Sequence, residues 1–413
     1  MGPSHRPDDR RIAWKGDIGA LNGILDGRQI VVEAGRRPRW WTPVSCEVGE
    51  VDPALAAAGG RLALKDERGL IYPAQLEQAP GGARITFIVH ALEAGEARRF
   101  SVVVQDQAPA GVTFSDRPED RVNVSVNGRT FTEYVYGKEW ARPYLYPVIG
   151  PAGATVTRHF PMRSDVPGEK HDHPHHKSIF FTHGDVNGVD NWSEAPGHGR
   201  TRHASFARLA GGPVFGDLWS DNIWVDAEEK PLLRQEIRLR FYALPDHLRM
   251  FDAEVVFTAD HGDVVFGDTK EGGLISVRVA STMDASGAGT IETGTGAIGE
   301  AESWGRPAPW CHYSGPVQAA TGPMVAGIGI LDHPSNPRHP VHWHVRDYGL
   351  MTANPFGLSY FYKDKRRDGS MKLAAGETAV FRYRVLIHEG AAAAGRMADH
   401  FAAFAHPPKA TLV

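Results

Sequence analysis

The sequence predicts an all-β protein: a small N-terminal β-sandwich followed by a large, supersandwich-like antiparallel β-sandwich with one C-terminal helix. Three observations carry this reading. Short apolar runs rich in Val, Ile, Phe and Tyr recur between clusters of Gly, Pro, Asn and Asp, the pattern of strands divided by tight turns. Asn127-Gly128 stands between two alternating runs, and a primed hairpin turn needs positive φ at both central residues. Helical periodicity is scarce.

Taken in order, "RITFIVHAL" at 84–92 and "RRFSVVVQ" at 98–105 read as strands of the first part. "VNVSVNGRTFTEYVYG" at 122–137 is the hairpin, and further strands fall at 232–244, 249–259, 273–281, 324–332 and 378–388. The segment "AAAAGRMADHFAAFAH" at 391–406 has the Ala and Met content of a helix, which the Pro407-Pro408 pair ends. Between them, "DQAPAGVTFSDRPED" at 106–120 is rich in Pro, Asp and Gly, as a linker would be. The expected domains are therefore 12–110, a small sandwich, and 120–405, the large one that carries the chemistry.

With 45 Lys and Arg against 49 Asp and Glu, a net charge of −4 gives no electrostatic case for nucleic acid. No apolar run approaches the roughly 18 residues of a membrane-spanning helix, and the opening "MGPSHRPDDRR" lacks the apolar centre of a signal peptide. Two cysteines, Cys46 and Cys311, are too few for a disulfide framework and fit a reducing compartment. A cytoplasmic location, without nucleic-acid or membrane partners, is the expectation.

Residues 171–176 read His-Asp-His-Pro-His-His, four of the chain's twenty histidines in six positions. Imidazole binds metals and moves protons near neutral pH. If the segment is extended, His171, His173 and His175 share a face, and Pro174 places it at an edge or a strand start. His173 and His175 could then hold a divalent metal ion, or His173 and His176 could act as proton-transfer groups. "FTHGDVNGVDNW" follows, where His183, Asp185 and Asn187 are candidate substrate contacts or turn residues. Lys270 and Glu271 precede a Gly-Gly step at a strand start, where Glu271 could serve as general acid or base. A second histidine group, His333, His339, His342 and His344, lies about 160 residues after the first. There His344 and Arg346 form an imidazole and guanidinium pair suited to anions or carbonyl oxygens, and Asn354 opens a turn on the same wall. The two groups are expected to form one pocket.

The strings "RPYLYPV", "GATVTRHFPM", "DHPHHKSIFFTHGDVNGVDNW", "KEGGLISVRV", "DHPSNPRHPVHWHVRDYGL" and "NPFG" together resemble the bacterial PmoA-like family of unknown function, over about 120–405. The resemblance implies a β-rich fold, a role in carbohydrate metabolism beside sugar oxidoreductases, and a motif comprising Asp172, His173, His175, His176, His183, Asp185, Lys270, Glu271, Asp332, His333, His344, Arg346 and Asn354.

The function expected is acid–base chemistry on a sugar or oxidised sugar, by isomerisation, epimerisation, elimination or hydrolysis. His173, His176, Glu271, Lys270, His344 and Arg346 would be catalytic, with Asp172, His183, Asp185, Asn187, His333 and Asn354 holding a small carbohydrate substrate. Two other readings stand beside it: a non-catalytic sugar-binding module acting with a sugar oxidoreductase, and a metal-dependent oxygenase or lyase using the histidines as ligands of one divalent ion.

Overall fold

A computed structural model describes residues 28–50, 53–80 and 82–413. Residues 12–27 of the expected first sandwich, and the opening polar stretch, lie outside the described residues. The chain divides into two units, one built from residues up to Pro109 with Pro408–Val413, the other from Ala110–Pro407. Both are made almost wholly of antiparallel strands.

In the first unit seven strands run in the order Arg39–Gly49, Gly82–Leu92, Ile71–Ala79, Leu62–Asp66, Ala97–Val104, Gln29–Glu33, Lys409–Leu412. The strand Ile71–Ala79 serves two layers: its start pairs with Ala63–Lys65 and the rest pairs with Gly82–Phe87. Ile30, Val32, Leu64, Ile85, Phe87 and Phe100 fill the core between them.

The second unit holds two eight-stranded sheets and a small four-stranded one. The first large sheet runs His342–Val345, Leu350–Asn354, Gly272–Arg278, Ile179–His183, Tyr144–Val148, Arg129–Val135, Arg121–Val126, Val112–Arg117. The second runs Arg200–Ala210, Phe215–Val225, Pro231–Tyr242, Leu248–Thr258, Thr378–Glu389, Gly322–Asp332, Trp310–Ala319, Thr290–Thr293. Period-two patterning makes these strands. In "LLRQEIRLRFY", Leu233, Ile237, Leu239 and Phe241 are buried, while Arg234, Glu236, Arg238 and Arg240 face outward; Arg234 and Arg238 pair with Glu236, Arg238 also with Glu254 on the next strand, and Arg240 with Asp217 on the preceding one. The Asn127-Gly128 turn has the positive φ values, 52° and 77°, that its sequence demands.

Three local details differ from the sequence reading. The Pro- and Asp-rich stretch 106–120 contains an edge strand, Val112–Arg117, of the second unit, because Val112-Thr113-Phe114 alternates despite its surroundings. The C-terminal helix is only Met397–Ala405; Ala391–Gly395 turns instead, since Gly395 lies so close to the His388 ring that a Cβ there would meet it at 2.1 Å. The chain then continues past 405 as the strand Lys409–Leu412, paired with Gln29–Glu33.

Register across the first large sheet decides where chemistry can sit. One row of neighbours, Leu145, Ile179, Val277, Met351 and Val345, is entirely core. The adjacent row, one residue out of phase, is Tyr144, Phe180, Ser276, Thr352 and His344. Successive side chains along a strand point to opposite faces, so this second row lies on the face turned away from the core. Tyr144, Phe180, Trp192 and Leu350 form a small apolar cluster of their own on it, with Tyr348 packed against them.

Candidate active site

The histidine-rich loop arrives on this outer face just before the strand Ile179–His183, shaped by a buried arginine. Arg158 is fully buried and donates to five backbone carbonyls, those of Phe160, Lys170, Asp172, His173 and His176, and to the Asp172 carboxylate. This pulls the segment into a turn closed by the His176 N–H donating to the His173 carbonyl at 3.0 Å, with His173 at a φ of 42°. The extended arrangement, with His171, His173 and His175 on one face, is therefore not formed. Pro174 is compatible with the turn, and the guanidinium supplies the donors that strand partners would have given.

Within the turn the histidines take different environments. His176 is 1% exposed and its Nδ1 lies 3.3 Å from an Arg278 terminal nitrogen. Arginine only donates, so His176 Nδ1 accepts and its proton sits on Nε2. Burial, then His175 and Arg278, hold its pKa well below the ordinary value. His175 faces Trp192. His173 stacks on Tyr348, with ring centroids 4.8 Å apart and planes 10° from parallel, and its Nδ1 is 3.4 Å from Asp172 Oδ2. The side chains of Asp172 and His173 are 37% and 39% exposed, so substrate can reach them. Burial works against the Asp172 carboxylate, but Arg278 and Arg158 outweigh it and its pKa lies below 3.8. Nδ1 has no hydrogen-bond partner among the described residues, so the carboxylate acts on the imidazole through charge, and the stack on Tyr348 holds the ring with Nε2 free to exchange a proton.

Tyr348 is the centre of the site. Arg278 and Arg346 lie over its ring, 4.9 and 5.5 Å from the centroid. Burial raises its hydroxyl pKa to about 12; Arg346 and Arg278 oppose this, while Glu271 and Asp172 add to it. The phenol thus keeps its proton and can donate, and both carboxylates are near enough to feel it. Glu271, 43% exposed, bonds Lys270. His344 is buried beneath, 2% exposed, and its Nδ1 accepts from Trp304 Nε1 at 3.0 Å; because indole only donates, the His344 proton is on Nε2.

The loop bearing Lys270 and Glu271 is held from below. Asn354 donates to the Thr269 and Lys270 carbonyls. The following glycines leave room for protein rather than ligand: a Cβ on Gly272 would meet His183 Nδ1 at 2.4 Å, and one on Gly273 would meet Thr352 Oγ1 at 1.3 Å.

The structure thus groups His173, Arg278 and Arg346 against Tyr348, with Asp172 paired to His173 and Arg278 and buried His176 behind, while Glu271 acts on Tyr348, and Lys270 on His344, through charge alone. Other expected residues do not join them. His183 is fully buried, bonds the Gly267 carbonyl at 2.8 Å and packs on Phe356; it is a core residue. Asp185 caps the Gly188 N–H, and Asn187 bonds the Asp263 carbonyl and the Val265 N–H, both closing turns of the small sheet, as Asx chemistry allows. Asn354 positions the Lys270 loop and is itself buried. His333 lies at the other large sheet, its Nδ1 2.7 Å from Ser335 Oγ and its ring edge-on to Phe404 of the C-terminal helix. His339 pairs there with buried Asp332 at 2.7 Å, so the second histidine group splits: only His342 and His344 lie on the first sheet. His342 bonds Tyr362 and stacks on Phe361.

As for a metal, the His173 and His175 rings stand 5.7 Å apart at 73° to each other, the first stacked on Tyr348 and the second edge-on to Trp192. Among the described residues no group of three or more His, Cys, Asp or Glu side chains is arranged to hold an ion.

Arg158, Arg278 and Tyr348 were missed by sequence reasoning. Their signal was faint but present: Arg278 ends "GGLISVR", an otherwise apolar strand buried throughout, and a charge there needs partners.

The buried imidazoles make stability depend on pH. Burial lowers His183 to about 4, and burial, then Lys270 and Arg346, lower His344 to about 3. Unfolded, each would titrate near 6.5. Above that pH both states are neutral and stability is full; below it the unfolded chain takes up protons the folded chain excludes, so stability is lost as pH falls toward 4. Denaturation at pH 7 and pH 5 is expected to show a loss of about 2 kcal/mol for each such imidazole, and equal stabilities at the two pH values would contradict their burial as neutral groups.

Residues 121–402 match the family of unknown function DUF6807. The chain belongs to this family. That match replaces the PmoA-like resemblance, and the sugar-oxidoreductase setting that came with the resemblance is not carried forward. No curated protein matches the chain. Among solved structures, the chain is similar to a galactose mutarotase related enzyme from Lactobacillus acidophilus, at 9% identity and a TM-score of 0.25, covering 67% of this chain and 97% of that one. Among the described residues no helix is long and apolar enough to cross a membrane.

Proposed function

We propose that the chain is an enzyme performing acid–base chemistry on a small polyhydroxylated substrate, a sugar or oxidised sugar, on the outer face of the first large sheet. The observation that carries this reading is Tyr348, with His173 stacked on its ring and the guanidinium groups of Arg278 and Arg346 lying over it. Isomerisation, epimerisation, elimination and hydrolysis share one need: a group that takes a proton and another that returns it. The Glu271 carboxylate, paired with Lys270, is the first. His173 Nε2, held by the Tyr348 stack beside the Asp172 carboxylate, is the second, and the Tyr348 hydroxyl donates to a substrate oxygen. Carboxylate, imidazole, phenol, ammonium and guanidinium groups in one half-exposed patch match the donors and acceptors of sugar hydroxyls. A binding module would present aromatic platforms and few titratable groups; here titratable groups dominate, which favours an enzyme.

His173→Gln tests this. In a screen of keto-sugars and glycosides, it should lower turnover by about 10²-fold, the usual scale for a lost acid or base, with little change in thermal midpoint because the ring is half exposed. His176→Gln is a poorer probe, since that ring is buried and would affect folding. Retained turnover in His173→Gln would remove His173 from the chemistry.

A further inference from the structure

We propose that Arg346 binds a carboxylate of the substrate, so that the enzyme takes an acidic sugar in preference to a neutral one. This rests on the acid–base reading above and names its substrate class.

The arginines that converge on the outer face differ in how far their donors are used. Arg158 is spent on five carbonyls and Asp172. Arg278 gives its terminal nitrogens to Asp172 and His176. Arg346 makes no side-chain hydrogen bond to the described residues: its Nε lies 3.0 Å from Glu300 Oε1, yet is out of line with it and buried without a partner. Both terminal nitrogens are therefore free, on a side chain 33% exposed.

This guanidinium is nevertheless held in place. Its backbone N–H donates to the Leu350 carbonyl at 2.8 Å, its carbonyl accepts from the Tyr313 hydroxyl, and its head lies over Tyr348. A planar fork with two unclaimed N–H donors, fixed beside the reacting groups, matches a carboxylate bidentately. Charge favours the same ligand. Arg158, Arg278, Arg346 and Lys270 face the carboxylates of Asp172, Glu271 and Glu300, four cations against three anions, and a substrate carboxylate would restore balance. Lys270 adds a second cation on the side of His344, whose titration both it and Arg346 depress.

The test is calorimetric binding of D-galacturonate and D-glucuronate against D-galactose and D-glucose, with wild type, Arg346→Gln and Arg346→Lys. Wild type should bind the uronates at least about tenfold more tightly than the neutral sugars. Arg346→Gln should remove that preference, and Arg346→Lys should keep part of it, because charge survives while the fork is lost. Equal binding of acidic and neutral sugars by wild type, or a preference that survives Arg346→Gln, would overturn the carboxylate assignment and leave the acid–base site standing. If no sugar of either kind binds wild type, the sugar reading falls and this inference with it.

Discussion

Glu271→Gln is expected to lower turnover by about 10²–10⁴-fold, the range for removing a positioned acid or base, while the protein stays folded. The amide keeps the shape and the possibility of a hydrogen bond with Lys270, and only the proton-exchanging oxygen is lost. The side chain is 43% exposed and contributes little to packing, so the thermal midpoint should hardly move. The loss should appear in kcat and kcat/KM together, because a proton-transfer group acts in the transition state rather than in ground-state binding. A rise in KM with kcat unchanged would make Glu271 a binding residue only.

Arg158→Ala should give the largest loss of stability. The guanidinium is fully buried, and deleting it would orphan the five carbonyls it satisfies and leave Arg278 as the one arginine on Asp172 among the described residues. Removing one partner of a buried, hydrogen-bonded charge network costs about 3–5 kcal/mol. The Asp172–His173 pair would lose its geometry at the same time, so the residual folded protein should also be inactive. Equilibrium denaturation checks the first part. A cost below about 1 kcal/mol, the scale of a single net hydrogen bond, would mean that the turn at 173–176 does not depend on this residue.

Much of the fold was legible because strand periodicity is local. "LLRQEIRLRFY" and the Asn127-Gly128 turn announce their structures within a few residues. The strand Lys409–Leu412 was not legible, because its pairing with Gln29–Glu33 is a contact between opposite ends of the chain. The site was half legible. Clustered histidines pointed to the loop from which the proposed site is built, and Arg346 to its neighbour at Tyr348, because such residues in turns and strand ends are seldom required by packing. Their assignment to roles failed where burial decides. His183 and Asn354 look like contacts in sequence but are buried, and Asp332, which gathers Asn336, His339 and the Val341 N–H, directs His333 and His339 to the other sheet. Tyr348, in the turn between two strands, and the buried Arg158 and Arg278 gain meaning only from contacts with the distant loop 170–176.

The central claim is that chemistry takes place on the outer face of the first sheet, around Tyr348. Its most direct test is a crystal structure of the slowed His173→Gln variant soaked with the sugar that wild type turns over in the screen. The sugar is expected at the edge of Tyr348, with one oxygen within hydrogen-bonding distance of its hydroxyl and the reacting carbon between residue 173 and the Glu271 carboxylate. A sugar bound elsewhere, with Tyr348, Glu271 and Arg346 untouched, would contradict it.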